Sequence, residues 1–282
     1  MNWTMIDPIL ENAIREDLGA GDVTTAGIGL KGRVCRGRFV AKEDGVVCGL
    51  EVAQRVFLHV DRLCGEEQAI KMEILTPEGS SVCKGDILAT IQGPAAPILS
   101  GERVALNFLQ HLSGIATRTA DAARWIRDTQ ARIVDTRKTT PGLRVLEKFA
   151  VRTGGGTNHR FNLSDGVLIK DNHIAAAGGI TAAVEAIRRF APHTLRIEVE
   201  VESLDQVAEA LAAGADILLL DNMSCELMRA AVEQVDGRAL TEASGNMGDK
   251  DLRAVAATGV DLISIGALTH SVRAMDISLR FT

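Results

Sequence analysis

The residues best suited to chemistry stand between positions 135 and 173. This stretch holds seven Lys and Arg against four Asp and Glu, whereas the whole chain carries a net charge of −6. Neighbouring cations repel one another unless an anion neutralises them. Arg137 and Arg160 each offer a planar fork that holds a carboxylate or phosphate through two parallel hydrogen bonds, and Lys138 and Lys170 add point charges. The stretch therefore predicts a binding site for a small anionic, carboxylate-bearing substrate.

Three glutamates alternate with valines in the run RIEVEVE, namely Glu198, Glu200 and Glu202. In a strand the glutamates share one face and the valines share the other. We expect the valines to pack outward against helices, which turns the carboxylates inward, where they need cations, hydroxyls or a metal. With Asp221 on the next strand they suit sugar hydroxyls or the positioning of Mg²⁺. The alternative is a structural ion-pair network with nearby lysines.

Two serine- and glycine-containing turns follow the last two apolar runs. They are Ser244-Gly245-Asn246 and Ser264-Ile265-Gly266. Backbone N–H groups in such turns bind anions, and barrels often hold phosphate at late strands. His159 follows a triple glycine and is either a donor to substrate or a structural residue, with neither favoured. The remaining cations of the stretch are expected on a solvated helix face: Arg144, Lys148 and Arg152.

The elements that position these residues follow a regular rhythm after residue 130. Six apolar runs alternate with helices near 181–190, 203–213, 225–235 and 249–257. Repeated helix–Gly–strand units predict parallel strands joined by right-handed crossovers. No G-x-G-x-x-G turn follows any strand, which favours a closed or nearly closed α/β barrel. The polar residues end the strands, at the face where such barrels assemble active sites. The runs are ARIVDT, GVLIK, LRIEVEV, ADILLLDN, RALTEAS and DLISIGA.

A local repeat precedes two of these strands: Ala213-Gly214-Ala215-Asp216 matches Thr258-Gly259-Val260-Asp261, 45 residues later. Earlier in the chain, residues 5–18 have the spacing of an amphipathic helix. Residues 30–98 have strand and turn signals that suggest a small domain with an antiparallel sheet. From Ser100 a long helical pattern follows, predicted as two helices that meet near Ser113-Gly114.

Composition narrows the class of protein. Aromatic residues make up 3% of the 282 residues with no Tyr, and the net charge is negative, which argues against nucleic-acid and anionic-membrane partners. Five scattered cysteines without C-x-x-C spacing indicate reduced thiols and no zinc site. Without an apolar leader or a run of membrane-span length, a cytoplasmic location is expected.

Segments throughout the chain resemble the quinolinate phosphoribosyltransferase family. They run in order from residue 17 to residue 271 and are DLGAGDVTT, SGERVALNFLQHLSGIAT, DTRKTTPGLRVLEKFAV, GGGTNHRFNLSDGVLIKDNHI, EVEVE, ADILLLDNM, EASGN and ISIGALTHS. The resemblance implies an incomplete, about seven-stranded parallel α/β barrel with a smaller N-terminal α/β sandwich domain. The sandwich would comprise residues 1–113, with residues 270–282 returning to it, and the barrel would comprise residues 114–269.

The resemblance also implies a pentosyltransferase reaction. Quinolinate and 5-phosphoribosyl-1-pyrophosphate would give nicotinate mononucleotide, pyrophosphate and CO₂ for NAD synthesis, with Mg²⁺, in a homodimer. Glu200 and Asp221 would bind the ribose and support the metal indirectly, and they would act with Lys138 and Lys170 as the catalytic set. The residues implied for the quinolinate pocket are Arg103 of the other subunit, Thr136, Arg137, Lys138, His159, Arg160 and Lys170. Those implied for the 5-phosphate are Ser244, Gly245, Asn246, Ser264 and Gly266.

One residue departs from the family pattern, because Asn162 stands where Gly is expected after the NHR motif. Asn tolerates the left-handed conformation better than other non-Gly residues. Three rival functions stay open. The first is a paralogue of the molybdenum-transport-associated type, with the same fold and another acceptor acid. The second is a Schiff-base aldolase that uses Lys170, and the third is a non-catalytic phosphate-binding protein.

Overall fold

The computed structural model describes residues 1–30, 32–65 and 69–282. They form two compact units. Unit 1 comprises Met1–Arg118, Thr140–Gly154 and Val272–Thr282, and unit 2 comprises Thr119–Thr139 and Gly155–Ser271. The segment 140–154, which the sequence analysis assigned to the barrel, thus packs within unit 1.

The helices and strands of both units are as follows. The helices are α1 Trp3–Leu18, α2 Val23–Ile28, α3 Leu50–Leu63, α4 Ala95–Trp125, α5 Arg144–Thr153, α6 Asp171–Ala177, α7 Ile180–Phe190, α8 Leu204–Ala212, α9 Cys225–Val235, α10 Leu252–Ala256 and α11 Ala267–His270. The strands are β1 Val34–Ala41, β2 Gly45–Val46, β3 Lys71–Ile74, β4 Ser81–Val82, β5 Ile87–Pro94, β6 Arg132–Val134, β7 Val167–Ile169, β8 Ile197–Val201, β9 Ile217–Asp221, β10 Leu240–Ser244, β11 Leu262–Ser264 and β12 Ile277–Phe281. Within the described ranges, none of the helices has the length and apolar character that a membrane span requires.

Unit 1 is built on an antiparallel sheet with the strand order β12-β1-β5-β3. The final strand β12 pairs with β1, so the chain's C-terminal segment completes this sheet. Apolar residues of α1 are buried at helical spacing, at Ile6, Leu10 and Ile14, as the amphipathic pattern predicts. The expected antiparallel sheet in the N-terminal part of the chain is confirmed, although unit 1 is not smaller than unit 2.

Helix α4 runs unbroken through Ser113 and Gly114, so the prediction of two helices meeting there is wrong. The two residues serve packing instead. Ser113 Oγ accepts from Cys48 N at 2.9 Å and donates to the Cys48 carbonyl at 3.1 Å. A Cβ on Gly114 would lie 2.2 Å from the Arg273 carbonyl oxygen. Glycine is present here because another backbone segment approaches the helix, and the helix tolerates its lower propensity.

Unit 2 contains a parallel sheet of six strands in the order β6-β11-β10-β9-β8-β7. All six strands coincide with the six apolar runs, and helices connect most of them, so the predicted parallel α/β architecture is confirmed. Among the described residues the sheet has six strands, one fewer than the resemblance implies. A single parallel bridge from Val134 to Thr157 extends the pairing beyond β6.

The repeated G-x-D segments hold strand starts in place. Asp216 Oδ2 accepts from the backbone N–H of Ile197, the first residue of β8, at 2.7 Å. Asp261 Oδ2 accepts from the backbone N–H and hydroxyl of Thr241 in β10, at 2.8 and 2.9 Å. In both cases the aspartate precedes one strand and binds the start of its neighbour. The sequence repeat therefore reflects one structural device used twice.

Helix α10 is shorter than the predicted 249–257. Asp251 accepts from the backbone N–H groups of Arg253 and Ala254 and so caps the helix at that position. Thr258 Oγ1 donates to the Val255 carbonyl at the other end. The helix therefore begins at Leu252 and ends at Ala256, because side chains at both ends satisfy its terminal backbone groups.

Candidate active site

The carboxyl ends of the six parallel strands meet at one edge of the unit 2 sheet. The pairing register brings Ser244 beside Asp221, and Ser264 beside Val134. Polar residues of complementary chemistry therefore share this edge, as the strand-end pattern predicts. They are Thr136, Arg137 and Lys138 after β6, Lys170 after β7, Glu200 in β8, Asp221 at the end of β9, Ser244, Gly245 and Asn246 at β10, and Ser264 to Gly266 at β11.

Lys170 and Glu200 form a close ion pair across β7 and β8. Lys170 Nζ lies 2.6 Å from Glu200 Oε2, and the side chains are 48% and 11% exposed. In β8, Val199 and Val201 are fully buried, Glu198 is buried as well, and Glu200 is partly exposed. The structural ion-pair alternative thus holds for this lysine, and the pair also presents one cation and one carboxylate at the same place.

Arg137 and Arg160 are electrostatic neighbours. Burial lowers the pKa of Arg160, the charge of Arg137 lowers it further, and the carboxylate of Glu198 opposes both. Two arginines held this close favour an anion between or beside them, because each anion contact relieves their repulsion. Arg160 Nη1 also donates to the Gly166 carbonyl at 3.0 Å, which fixes the guanidinium.

The loop that carries Asn158, His159 and Arg160 is anchored on Asp135. This aspartate is fully buried, and its two oxygens accept from Asn158 Nδ2 at 2.6 Å and from the His159 backbone N–H at 2.9 Å. Asn162 does not adopt a positive φ; its Oδ1 accepts from the Ser164 backbone and hydroxyl. Asn therefore fits this position without the left-handed conformation considered from the sequence.

His159 lies against two buried glutamates inside unit 2. Its Nε2 is 3.0 Å from Glu198 Oε2 and 3.7 Å from Glu242 Oε2, and both glutamates are at most 3% exposed. Burial, and then the charge of Glu198, raise the pKa of Glu242 to about 7. Glu242 is not among the site residues predicted from the sequence. The one feature of the sequence that could have identified it is its position as a lone carboxylate in the middle of the apolar run RALTEAS.

The turn after β10 depends on glycine. Gly245 has a φ of +96°, and a Cβ there would lie 2.2 Å from Asn222 Oδ1. Asn222 itself has a φ of 53°, and its Nδ2 donates to Asp221 Oδ2 at 2.6 Å. The ends of β9 and β10 are thereby held close together, which only glycine permits at position 245.

The turn after β11 lies beside Lys138. A Cβ on Gly266 would lie 3.0 Å from the Lys138 Cδ, and Thr269 Oγ1 donates to the Lys138 carbonyl at 2.7 Å. Lys138 is exposed, so its ammonium borders the predicted phosphate turns as well as the strand end that bears Arg137.

Not all cations of the 135–173 stretch belong to this edge. Arg144, Lys148 and Arg152 lie on α5 in unit 1. Lys148 is 2% exposed, so the prediction of a solvated face is wrong for this residue, although Arg152 is exposed. Helix α5 buries Lys148 together with Glu147 on its inner side. Arg103 is exposed on α4, also in unit 1.

The carboxylates suit Mg²⁺ better than a tightly bound transition metal. Glu200 and Asp221 offer half-buried oxygens at adjacent strand ends, the donors that Mg²⁺ accepts directly or through water. Among the described residues, one group of three could ligate a metal by proximity, and it consists of His159, Glu198 and Glu242, whose ligand atoms lie within 4.8 Å of one another. However, His159 Nδ1 lies 2.7 Å from the Arg160 backbone N–H, and this contact favours the ring proton on Nε2, the nitrogen that a metal would need.

Comparison with known proteins links this arrangement to one family. The model of the quinolinate phosphoribosyl transferase N-terminal domain matches residues 22–113, and that of the C-terminal domain matches residues 115–280. A probable nicotinate-nucleotide pyrophosphorylase [carboxylating] of Bacillus subtilis is 44% identical over 282 residues, which is 100% of this chain and 95% of that protein. One of the same name from Synechocystis is 46% identical over 99% of this chain and 93% of that protein.

The fold agrees with solved structures. The nicotinate-nucleotide pyrophosphorylase from Francisella tularensis superposes with a TM-score of 0.94 at 36% identity, covering 100% of this chain and 98% of that one. The likeness extends over both units, and so it is not restricted to a common barrel-type sheet.

Proposed function

The chain belongs to the quinolinate phosphoribosyltransferase family, and we propose that it transfers phosphoribose to quinolinate. The reaction converts quinolinate and 5-phosphoribosyl-1-pyrophosphate into nicotinate mononucleotide, pyrophosphate and CO₂, a step of NAD biosynthesis. One observation supports the assignment beyond the likeness: cations, carboxylates and glycine turns meet at the carboxyl ends of six neighbouring strands.

Each group of side chains matches one part of the two substrates. Arg137 and Arg160 would hold the quinolinate carboxylates, with His159 beside them and Lys138 and Lys170 adding charge. Thr136 belongs to the same pocket, and its Oγ1 accepts from the Lys138 backbone N–H at 3.0 Å, which shapes the strand end. Glu200 and Asp221 would accept hydrogen bonds from the ribose hydroxyls. The residues proposed for the 5-phosphate are Ser244, Gly245, Asn246, Ser264 and Gly266.

The protein's contribution to the reaction is positioning and charge. The pyridine nitrogen forms a bond to the sugar C1 while the bond from C1 to the pyrophosphate oxygen breaks, so positive charge builds on the ribose. Glu200 and Asp221 would stabilise that charge from the ribose side. The alkylated ring then loses CO₂ from C2, because its positive nitrogen stabilises the electron pair left behind, and C2 takes up a proton. Positioning of two reactants of like charge can contribute about 7–11 kcal/mol.

Mg²⁺ is the proposed cofactor. When bound, it would neutralise charge on the departing pyrophosphate. Glu200 and Asp221 would hold it indirectly, through water or substrate, because their oxygens lie at adjacent strand ends. Lys170 keeps Glu200 in place through the 2.6 Å ion pair.

A homodimer in the cytoplasm is proposed as the working form. In that dimer Arg103 of one subunit would reach the quinolinate pocket of the other. The proposal follows the family pattern in SGERVALNFLQHLSGIAT, and the exposed position of Arg103 on α4 is compatible with it.

The deciding experiment is a turnover assay with quinolinate, 5-phosphoribosyl-1-pyrophosphate and Mg²⁺. Formation of nicotinate mononucleotide with equimolar pyrophosphate and CO₂ is the expected result. A Lys170→Ala variant serves as the inactive control, and Arg189→Ala, on the exposed face of α7, serves as the active one. If the folded protein forms no nicotinate mononucleotide but transfers phosphoribose to another acid, the acceptor assignment is wrong.

A further inference from the structure

A cavity of about 650 Å³ opens at the amino ends of the unit 2 strands, opposite the edge that carries the candidate active site. Its rim is formed by the first residues of five strands, namely Arg132, Val167, Ile217, Leu240 and Leu262. His159, Arg160, Glu198 and Glu242 also line it. Arg160, which is predicted to bind substrate, therefore also borders a cavity at the amino ends of the strands.

The His159 ring connects the two glutamates to the backbone of Arg160. Nδ1 accepts from the Arg160 backbone N–H at 2.7 Å, so this nitrogen carries no proton. Nε2 then carries the proton and donates to Glu198 Oε2 at 3.0 Å, with Glu242 Oε2 at 3.7 Å. In a neutral imidazole, the hydrogen bond made by one ring nitrogen determines whether the other nitrogen is protonated.

We propose that Glu198 and Glu242 are positioning residues that act on Arg160 through His159. They hold the imidazole in its Nε2–H tautomer, and that tautomer supplies the acceptor that orients the Arg160 backbone. The inference rests on the proposed function, because the quantity it controls is the binding of quinolinate by Arg160. It assigns a role to two glutamates that the active-site edge does not use.

The burial of the two carboxylates supports this assignment. Glu198 Oε1 and Glu242 Oε1 are buried and have no hydrogen-bond partner among the described residues. Two buried carboxylates this close are costly unless cations and donors face them. Arg160 lies close enough for the carboxylate of Glu198 to affect its pKa, and the His159 ring donates to the same group. The glutamates thus attract the imidazole and the guanidinium together, which pulls the loop into one conformation.

A metal site formed by the same three residues is the main rival. A metal on His159 Nε2 would require the ring proton to lie on Nδ1. The Nδ1–H group and the Arg160 backbone N–H would then face each other as two donors. The hydrogen-bonded form needs no such rearrangement.

The first test is the ring tautomer in the unmodified protein. Nitrogen-15 NMR of histidine-labelled protein distinguishes the two tautomers, and loss of one signal in His159→Gln identifies the residue among the six histidines. We expect an unprotonated Nδ1 and a protonated Nε2 at neutral pH. A protonated Nδ1 would overturn the proposal, and so would Zn²⁺ or Mn²⁺ binding that shifts this signal and is lost in Glu242→Gln.

The second test is a kinetic split in Glu198→Gln and Glu242→Gln. We expect the KM for quinolinate to rise about 10-fold or more, while the KM for 5-phosphoribosyl-1-pyrophosphate changes little, because a small displacement of one binding group is costly. Glu233→Gln, an exposed glutamate on α9, is the matched control. Glu198→Asp keeps a carboxylate and should recover part of the affinity. If both Gln variants fold and keep the wild-type KM for quinolinate, the positioning role is excluded.

The tests separate this inference from the proposed function. A wild-type protein that makes no nicotinate mononucleotide contradicts the function, whereas the tautomer measurement does not depend on turnover. If a Gln variant fails to fold, the tautomer in the wild type still decides the point.

Discussion

Arg160 is subject to several constraints at once. It is partly buried, it has Arg137 as a neighbour of like charge, and its guanidinium donates to the Gly166 carbonyl. Arg160→Lys keeps the charge but loses the planar fork. We expect a KM for quinolinate raised by about 10-fold or more, since hydrogen bonds to charged groups contribute roughly 1.5–3 kcal/mol. Steady-state kinetics with each substrate varied in turn measures this, and an unchanged KM would contradict bidentate binding.

Glu242 gives the protein a pH-dependent stability. Its pKa is raised from 4.5 to about 7, first by burial and then by the charge of Glu198. The folded state therefore binds a proton that the unfolded state releases, so this contribution is fully present below about pH 4.5 and is lost as the pH rises through 7. Glu242→Gln mimics the protonated form. In urea unfolding between pH 5 and 8, the variant should gain stability relative to the wild type as the pH rises. A difference independent of pH would contradict the shift.

For single residues, the sequence predicts which side chains belong to the candidate site, but it does not predict which other side chains surround them. The cations, acids and glycines that follow successive strands can be recognised in the sequence, and the structure places them at one edge of the sheet. The Glu242 side chain was not anticipated, because a single carboxylate in an apolar run is recognisable only once Glu198 and His159 are known to face it. Long-range neighbours decide its ionisation, and the local pattern does not contain them.

The repeated aspartates act at the scale of elements. Asp216 and Asp261 each accept from a backbone N–H near the start of a neighbouring strand, and the acceptor in each case is a carboxylate. Asp261→Asn keeps one acceptor oxygen, but it removes the negative charge and replaces the second oxygen with an NH₂ group. We expect a decrease of about 1–3 kcal/mol in the free energy of unfolding. Urea denaturation measures it, with Glu233→Gln as the control, and a change within the error of that control would exclude the role.

Helix boundaries show where sequence periodicity is sufficient and where it fails. Helix α9 begins and ends where the pattern predicts, because Ser224 Oγ caps its start by accepting from Leu227 N–H. Helix α4 continues through Ser113 and Gly114, which sequence reasoning took as a break. A glycine that admits another backbone and a glycine that ends a helix look the same in the sequence. Only the contact with Arg273 distinguishes them.

Gly114→Ala tests that contact directly. The added Cβ would lie 2.2 Å from the Arg273 carbonyl oxygen, a backbone atom that cannot rotate away. Helix propensity alone predicts a gain of about 1 kcal/mol for this change. We expect a net loss of about 1–3 kcal/mol, because overpacking outweighs propensity. Thermal and urea unfolding report the sign, and a stabilised variant would show that the 272–282 segment moves aside at little cost.

At the scale of the whole molecule, an acidic chain places Arg137, Lys138 and Lys170 at the strand-end edge where two anionic substrates are proposed to meet. Glu200 and Asp221 share the edge with these three cations, so the edge is close to balanced in charge within a chain of net charge −6. The fold makes this possible by ending six strands at one edge, so residues more than 100 positions apart in sequence become neighbours. The alternation of strands and helices predicted that edge. The placement of 140–154 in unit 1 was not predicted, because nothing in the local pattern of α5 records which unit buries it.

The proposed dimer leads to a complementation experiment. If Arg103 serves the pocket of the other subunit, each site combines residues from two chains, as a two-fold dimer permits. Arg103→Ala and Arg137→Ala should each be nearly inactive alone. After unfolding and refolding together in equal amounts, half of the dimers are hybrids, and each hybrid has one site with both arginines intact. About one quarter of the wild-type activity is therefore expected. A mixture of Arg137→Ala with Arg160→Ala should recover none, because both residues lie in unit 2 of the same chain. No recovery in the first mixture, with hybrids confirmed by mass spectrometry, would show that Arg103 does not act across the dimer.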